Sequence, residues 1–420
     1  MTEQELADLA GVDVAGGYEP EVWAKLDRRA DKYDKQTRKL VEEGAPKPTL
    51  SNLLHILQGD SRLRGRTRYN LFSNRIEHNG QLLSDYQEAD LSVWLDRNYR
   101  CSVGPSKVHD IIETVARGFA YHPVRDYLEG LAWDGVDRVD AWLTAYMGAE
   151  DTVLISELGK RFLLSCIARV MQPGCKVDTC LILAGKQGIK KSTGLRALCG
   201  PEWFCDTALD IGRPDSMAAL QGQWLYEWPE LDSVKRRDTT TTKAFLSSQV
   251  DRYRPSYGRN FLEQARQVVF CGTTNEHTFL KDATGERRYW PVRVTKVDVL
   301  GLEEDRDQLW AEALQWYRSE PRWWLTEEME AILIDAQADY KDEDPWAETL
   351  GRWVRSPERA QGFTLLQVME YGLELAVKDH HRHHQARVRG VLTALGCPPH
   401  QWRGSSGDRL RGWLPPEGAG

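Results

Sequence analysis

The residues with the clearest chemical potential form a glycine- and lysine-rich loop near the middle of the chain. An apolar run, Leu181–Ala184, precedes Gly185-Lys186-Gln187-Gly188-Ile189-Lys190-Lys191-Ser192-Thr193, and a helical pattern covers Gly194–Cys199. A strand, such a loop and a helix in succession form a Walker A motif, in which backbone N–H groups and the helix N-terminus surround phosphates. We therefore predict that the loop binds a nucleotide, with Lys191 at the β- and γ-phosphates and the Ser192 hydroxyl on Mg²⁺.

One position departs from the motif. The pattern GxxxxGK[ST] has glycine where this chain has Lys190. Glycine is used there because the backbone needs a conformation that costs a residue with a Cβ atom roughly 1–2 kcal/mol. A second cation could attract phosphate, or its bulk could crowd the nucleotide, and the sequence leaves both readings open.

Acidic and amide side chains follow two later apolar runs. Glu227 lies 36 residues after Lys191 (227 − 191) in the run WLYEWPELD, where it could hold Mg²⁺ and polarise the attacking water. Glu230 is the second candidate for this role, and Asp232 is expected to be a helix N-cap. The third run, Val268–Cys271, ends in GTTN, so Asn275 is the candidate to orient water and sense the γ-phosphate, unless it is only a turn residue.

The elements that must position these residues alternate between strands and helices. The runs VDTCLILAG, QWLYEW and RQVVFCGTTN have the length of buried strands, and helical segments separate them. This order predicts an α/β fold with a parallel sheet. GKRFLLSCIARVM is expected to be an amphipathic helix. The expected division is a charged lead-in (1–49), a mostly helical domain with a β-hairpin at HNGQ (50–150), the phosphate-loop core (151–345) and a basic helical or winged-helix-like end (346–420).

Composition narrows the class of protein. The 420 residues suggest two or three domains, and a net charge of −8 argues against a uniformly basic nucleic-acid coat protein. No apolar run approaches the roughly 18–20 residues that cross a bilayer, and the start of the chain lacks signal-peptide character. The eight scattered cysteines are expected to be free thiols in a reducing cytosol.

Several ordered blocks resemble a known family. The blocks PGCKVDTCLILAGKQGIKKST, WLYEWPELD, KAFLSSQVDRYRPSYGR, VVFCGTTN and FLKDATGERRYWPV are similar to those of the virulence-associated protein E (VapE) family of phage, prophage and plasmid replication proteins, related to superfamily 3 helicases. The resemblance covers roughly 50–345 and implies an AAA+-like ATPase core that uses ATP and Mg²⁺. It also implies a ring, expected to be a hexamer, that moves along single-stranded or forked DNA in the cytosol of a bacterial host.

The resemblance also bears on partners. Larger relatives carry a primase-like domain before the helicase, whereas about 50 residues precede the match here. The expectation is a stand-alone helicase, with a separate primase as a candidate partner and no membrane association.

Two basic segments gain roles from this resemblance. Cations interleave with tyrosines where superfamily 3 helicases place a DNA-contacting hairpin, and cations beside aromatic rings suit single-stranded DNA; the candidates are Lys243, Arg252, Arg254 and Arg259. The alternative is salt bridges, including an Arg–Asp251 pair that shapes the loop. Arg287 and Arg288 resemble the family's arginine pair, of which one would act on a neighbour's ATP; the alternative is an arginine stacked on Trp290.

The last segment is basic within an acidic chain. Residues 378–413 hold seven Lys or Arg against two Asp, which suits nucleic-acid phosphate, although a solvated basic helix is an equal alternative. The histidines at 380–384 lack metal-ligand spacing. Besides a ring helicase, two hypotheses stay open: a catalytically weak DNA-binding or scaffold protein with a degenerate phosphate loop, and a regulatory AAA+ ATPase acting on proteins.

Overall fold

The computed structural model of the chain describes residues 17–42, 44–210, 214–228, 239–254, 261–276, 278–280, 286–340, 344–403 and 408–416. The α-helices, numbered in chain order, are α1 (Pro20–Trp23), α2 (Leu50–Gly59), α3 (Asp85–Tyr99), α4 (Pro105–Arg117), α5 (Pro123–Gly130), α6 (Trp142–Met147), α7 (Val153–Met171), α8 (Lys191–Cys199), α9 (Pro214–Ala219), α10 (Thr239–Leu246), α11 (Val299–Ser319), α12 (Glu327–Ala336), α13 (Pro345–Val354), α14 (Leu365–Gln367) and α15 (Arg382–Ala394).

The strands follow the same numbering. They are β1 (Lys32–Tyr33), β2 (Leu40–Glu42), β3 (Thr67–Asn70), β4 (Arg75–His78), β5 (Gln81–Leu82), β6 (Cys180–Ala184), β7 (Phe204–Cys205), β8 (Leu225–Trp228), β9 (Val250–Tyr253), β10 (Leu262–Ala265), β11 (Val269–Thr274), β12 (Tyr289–Arg293), β13 (Pro399–Arg403) and β14 (Arg409–Trp413). None of the described helices combines the length and apolar character needed to span a bilayer.

Among the described residues, five strands form a parallel sheet in the spatial order β12-β6-β11-β8-β7. Every side chain of β6, β8 and β11 is buried, as expected when helices cover both faces of a parallel sheet. The predicted α/β class with a parallel sheet is therefore confirmed. Because the strands are parallel, the loop after β6, the end of β8 and the end of β11 share one edge of the sheet.

Period-two alternation divides the sheet between two hydrophobic cores. Leu181 and Leu183 join one core with α7, α8 and α11, and Cys180 and Ile182 join the other with Phe245 of α10. Side chains between Val124 and Ala149 also pack into the first of these cores. The division of the chain at 49, 150 and 345 stays a prediction.

Helix α7 corrects one expectation. An amphipathic helix leaves a polar stripe in water, but every residue from Leu158 to Val170 is buried. Three cations lie within this stretch and find internal partners. Lys160 lies over the Trp316 ring, Arg161 pairs with Glu157, and Arg169 donates to backbone carbonyls. The prediction of an amphipathic helix was wrong because its polar residues are satisfied inside the protein.

The N-terminal part of the chain contains helices and a three-stranded antiparallel sheet, where the sequence predicted helices and a β-hairpin. Helices α2, α3 and α4 share one core, and a Ser84–Gln87 capping box begins α3. Asn79 and Gly80 have φ angles of 52° and 76° between β4 and β5, which places the predicted turn at HNGQ. Within the predicted lead-in, residues 20–23 are helical and β1 pairs with β2.

The last part of the chain joins helices to a two-stranded β-ribbon. Helices α13 and α15 share a core with the π-helical turn after α14, and Trp413 of β14 packs against it. The ribbon consists of β13 paired antiparallel with β14. The winged-helix-like character of this end stays a prediction.

Two expected element ends differ in the structure. The third buried strand continues to Thr274, so Gly272 and both threonines are strand residues. Helix α8 begins at Lys191, three residues before its predicted start.

Asp232, Glu230 and Arg259 lie outside the described residues.

Candidate nucleotide site

The phosphate loop connects β6 to α8 through a backbone that needs left-handed conformations. Gly188 has φ +84°, and Lys190 has φ 67° and ψ 33°. Gly185 is required for a different reason, because a Cβ atom there would lie 2.3 Å from the Val294 carbonyl oxygen. The first amides of α8 have no intrahelical acceptors and carry the positive end of the helix dipole. This curvature offers N–H groups to an anion at the helix N-terminus.

Lys190 adopts the conformation that the motif reserves for glycine. Its φ of 67° confirms the expectation from sequence that this position is strained for a residue with a Cβ atom. The side chain is exposed. Lys190 therefore retains the loop geometry at a conformational cost, and its bulk extends toward solvent.

Lys191 is buried and bridges the loop to a neighbouring strand. Its Nζ atom donates to the carbonyls of Gly185 and Lys186, at 2.8 and 3.0 Å, and to Oδ1 of Asn275, at 2.9 Å. Burial lowers the pKa of Lys191, and the Glu227 carboxylate opposes this shift. The lysine predicted to meet phosphates thus lies at the centre of the loop.

Glu227 occupies the adjoining part of the same sheet edge. Its side chain is fully buried, and its Oε1 atom accepts hydrogen bonds from Ser192 Oγ at 2.7 Å and Thr273 Oγ1 at 2.5 Å. Burial raises the pKa of Glu227, while the two hydroxyl donors act in the opposite direction. Oε2 of Glu227 has no hydrogen-bond partner in the described structure. A buried carboxylate oxygen without a partner, beside a serine hydroxyl, fits a hard cation or a water molecule.

Asn275 directly follows β11, the strand that lies between β6 and β8 in the sheet. The carbonyl of the preceding Thr274 accepts from the Gly185 amide at 3.1 Å, which fixes the strand end against the loop. A cavity of about 240 Å³ opens beside these residues. Its lining includes Gly185, Lys186, Asn275, Arg293, Thr295 and Tyr340.

The two predicted arginines lie at the amino-terminal end of the parallel strands, opposite the end that carries the phosphate loop. Arg287 and Arg288 immediately precede β12, whose first residue, Tyr289, pairs with Cys180 at the start of β6. The phosphate loop follows the far end of β6, about 13 Å away at roughly 3.3 Å per residue. The structure therefore does not bring these arginines to the phosphate loop of their own chain.

The two arginines differ in their surroundings. The Arg288 Nε atom lies 3.3 Å from Ser247 Oγ and 3.7 Å from Asp178 Oδ2, and its side chain is 19% exposed. The Arg287 side chain is 51% exposed, and its Nη1 atom lies 4.0 Å from Oε1 of Glu330. Both arginines line a cavity of about 380 Å³ that also includes Trp323 and Trp324.

The predicted DNA segment forms a helix and an antiparallel hairpin. Lys243 lies on α10, Arg252 on β9 and Arg254 just after β9, while β9 pairs with β10. Arg252 is exposed, lies 3.4 Å from Glu263 and packs over the exposed ring of Phe261. Sequence reasoning did not single out Phe261, although an aromatic residue beside this basic run was a usable signal.

A buried ion pair anchors the base of the hairpin. Asp251 accepts from Arg266 Nε at 3.0 Å, and both side chains are almost completely buried. Arg266 also donates to the Phe245 carbonyl and lies against the rings of Phe245 and Phe270. The Arg–Asp251 pair considered from sequence is thus present, with Arg266 as the partner. Thr273 was also missed from sequence, because the strand register that places it on the same face of the sheet as Glu227 is visible only in the structure.

Other candidate chemistry is sparse in the described part of the chain. No group of three or more His, Cys, Asp and Glu side chains there is placed to hold a metal. All eight cysteines are free thiols. A divalent cation at the phosphate loop would therefore depend on Ser192 and Glu227 together with its nucleotide.

Comparison with known proteins identifies one sequence family. Residues 128–342, just over half of the chain, match the family model of the virulence-associated protein E-like domain. A search of curated proteins finds no match.

Solved structures give weaker similarities. An apo structure of the NrS-1 C-terminal region is 11% identical, with 83% of this chain and 95% of that chain covered and a TM-score of 0.37. Another apo form of that region is 15% identical, with coverages of 62% and 74% and a TM-score of 0.33. JCV helicase is 11% identical, with coverages of 59% and 78% and a TM-score of 0.26. Scores of this size do not establish a shared activity.

Proposed function

The chain belongs to the virulence-associated protein E-like family, and on this premise we propose that it is an ATP- and Mg²⁺-dependent DNA helicase of phage-type replication. The observation that carries the proposal is the convergence of Lys191, Ser192, Glu227 and Asn275 at one edge of the sheet. Lys191 and Ser192 begin the helix that follows β6. Glu227 belongs to β8, and Asn275 directly follows β11, which lies between β6 and β8. The four side chains supply a cation, a hydroxyl, a buried carboxylate and an amide, which are the groups that nucleotide hydrolysis requires.

Each residue has a defined part in hydrolysis. Lys191 exchanges its present acceptors for β- and γ-phosphate oxygens, and the loop amides from Gly185 to Thr193 surround the phosphates. Ser192 and Glu227 would hold Mg²⁺, which supplies positive charge against the phosphate oxygens. Glu227 accepts a hydrogen bond from the attacking water, and Asn275 senses the γ-phosphate. Glu230 remains a proposed second carboxylate.

The arginine pair supports a ring in which subunits share sites. Because Arg287 and Arg288 lie at the opposite sheet edge from the loop, a contact with ATP would have to involve the nucleotide of a neighbouring subunit. Arg287 is the better candidate, since Ser247 and Asp178 hold Arg288. A hexameric ring around single-stranded DNA, at a fork and with a separate primase, is the assembly that we propose.

The hairpin provides the proposed contact with the translocating strand. Arg252 and Phe261 form an exposed pair of cation and ring, the combination that suits phosphate and stacked base in single-stranded DNA. Lys243, Arg254 and Arg259 are proposed to extend this surface. Phe270 of β11, the strand that ends before Asn275, contacts Arg266 at the hairpin base, and this contact is the proposed path from the nucleotide site to the hairpin.

ATP hydrolysis measured with and without single-stranded DNA tests the proposal. We expect DNA to stimulate hydrolysis, and Lys191→Ala to abolish it by removing the cation at the phosphates. Lys47→Ala, which removes a surface lysine paired with Asp27, is the matched control and should leave hydrolysis unchanged. A rate of hydrolysis that does not change when DNA is added would favour a regulatory ATPase. An unchanged rate in Lys191→Ala would contradict the assignment of the nucleotide site.

One observation favours a second candidate function. The strained conformation of Lys190 is consistent with a catalytically weak phosphate loop in a DNA-binding or scaffold protein. Lys190→Gly separates the two functions: a sharp rise in nucleotide affinity or turnover would show that the natural loop is compromised. Unchanged kinetics would show that the lysine is tolerated by a working ATPase.

A further inference from the structure

The C-terminal β-ribbon presents an unusual set of side chains on one face. In the β13–β14 register, Gln401 lies opposite Arg411 and Arg403 lies opposite Arg409. Directly opposite residues and residues two apart on a strand share a face, so these four side chains, which we call the arginine face, project together. All four residues are exposed.

Stability of the ribbon does not explain this arrangement. Like charges directly opposite each other on paired strands are destabilising, and Arg403 and Arg409 form such a pair. Among the described residues, no ion pair involves Arg403, Arg409 or Arg411. By contrast, Arg387 in the same part of the chain binds both carboxylate oxygens of Asp344, at 2.8 and 2.9 Å. The three arginines of this face outnumber the one acidic residue between 399 and 413, Asp408, so the ribbon is positively charged in a chain whose net charge is −8.

The other side of the ribbon is aromatic and serves packing. His400 and Trp402 stack with ring centroids 5.7 Å apart and are half-buried. At the base of the arginine face, Trp413 lies opposite Pro399 and packs against the helical core. The exposed part of the face thus holds guanidinium and amide groups without an aromatic ring.

This composition points to one kind of partner. Surfaces for single-stranded nucleic acid combine cations with exposed rings on which bases stack, and the arginine face has no such ring. A two-stranded β-ribbon fits the major groove of B-form DNA, where arginine pairs with guanine and glutamine with adenine. We propose that the arginine face docks in the major groove of double-stranded DNA, through Gln401, Arg403, Arg409 and Arg411.

The inference rests on the proposed function only in that the ligand is DNA. It adds a duplex-binding surface separate from the nucleotide site and from the hairpin that we assign to the single strand. Duplex binding can be measured without nucleotide, so a failure of ATP hydrolysis and a failure of duplex docking give different results.

Anisotropy titrations of the full chain with a labelled blunt duplex, at several salt concentrations, test the docking. We expect Arg403→Gln, Arg409→Gln and Arg411→Gln together to weaken duplex binding about 10- to 100-fold. The slope of log K against log salt should become shallower by about 2–3, since each lost phosphate contact removes about 0.9. Binding of a single strand of the same sequence should change about twofold or less.

A matched control removes three exposed arginines from other elements, with Arg97→Gln, Arg318→Gln and Arg352→Gln combined. This variant has the same net charge as the first, and it should retain duplex affinity and salt slope. The inference is overturned if both variants weaken duplex binding equally, if the slope is unchanged, or if single-strand binding falls by the same factor as duplex binding.

One charge-reversal variant distinguishes a loss of duplex binding from a loss of folding. Arg409→Glu places a carboxylate opposite Arg403, so it should raise the thermal midpoint of unfolding while it lowers duplex affinity. A lower midpoint together with lower affinity would attribute the loss to damage of the ribbon and overturn the docking role.

Discussion

The Ser192 hydroxyl donates a 2.7 Å hydrogen bond to Oε1 of Glu227, and this bond joins the phosphate-loop helix to the second strand away from it. Thr273, on the strand between them, donates to the same oxygen. Both hydroxyls therefore bind the Oε1 atom of Glu227, and its Oε2 atom has no partner among the described residues. The unpartnered oxygen can bind a cation or a water molecule, but its burial lowers the stability of the protein.

Replacing Glu227 with glutamine should therefore separate activity from stability. Glu227→Gln is expected to lower ATP turnover at least about 100-fold, because the charge that orients water is lost. Nucleotide binding, measured by titration with a fluorescent ATP analogue, should remain. The thermal midpoint at neutral pH should rise, since a neutral amide is cheaper to bury than a carboxylate.

The pH dependence of the thermal midpoints of the wild type and of Glu227→Gln supplies a second measurement. Burial raises the folded-state pKa of Glu227, so the folded protein binds this proton more tightly than the unfolded chain. The contribution is stabilising at low pH and is lost as pH rises from the unfolded value near 4.5 through the folded pKa. The midpoint of the wild type should fall relative to Glu227→Gln over that window. A difference between the two midpoints that does not vary with pH would contradict the raised pKa.

The strain at Lys190 can be measured by comparing two glycine substitutions in one loop. Lys190→Gly relieves a left-handed conformation and should raise the free energy of unfolding by up to about 1 kcal/mol. Lys186 is not among the residues with positive φ, so Lys186→Gly should lower it by roughly 0.5–1 kcal/mol through chain entropy. Urea unfolding of both variants gives the comparison. Equal losses in both would mean that position 190 is not strained.

The loop and its strain were predictable from sequence because both depend on local order. The strand, the loop (185–190) and the helix are contiguous in sequence, and the replacement of the motif's glycine by Lys190 indicates that this residue must adopt a left-handed conformation. The placement of Glu227 and Asn275 beside the loop was predictable because the carboxyl ends of parallel strands converge, while their roles stay predictions. The environment of α7 could not be predicted, because its cations Lys160, Arg161 and Arg169 contact groups distant in sequence, namely the Trp316 ring, the Glu320 carboxylate and the Arg266 carbonyl. The placement of the arginine pair also depends on strand register, which periodicity does not specify.

The Arg266–Asp251 pair should be far more costly to break than a surface pair. Arg266→Met leaves Asp251 as a buried charge, and we expect a loss of about 3–5 kcal/mol in the free energy of unfolding. Combining it with Asp251→Leu removes both charges and should recover much of that loss. Arg352→Met breaks an exposed pair with Glu348 and should cost about 1 kcal/mol or less. If the double variant is as unstable as Arg266→Met, packing rather than charge pairing holds the hairpin base.

Mixing two inactive variants tests whether Arg287 acts on a neighbour's nucleotide. Lys191→Ala lacks the phosphate cation, and Arg287→Ala lacks the arginine that we assign to the adjacent subunit. In a mixed ring, an Arg287→Ala subunit supplies an intact phosphate loop and a Lys191→Ala neighbour supplies the arginine. Random mixing should complete about one quarter of the sites, so ATP turnover should recover toward that fraction.

The same mixture made with Arg288→Ala is the informative comparison. Arg288 is held by Ser247 and Asp178, so its loss should disturb its own subunit, and mixing should restore less activity than with Arg287→Ala. Recovery with neither arginine variant would mean that the pair does not complete a shared site. The opposite order of recovery would transfer the role from Arg287 to Arg288, because only a residue that reaches across the interface can be supplied by a neighbour.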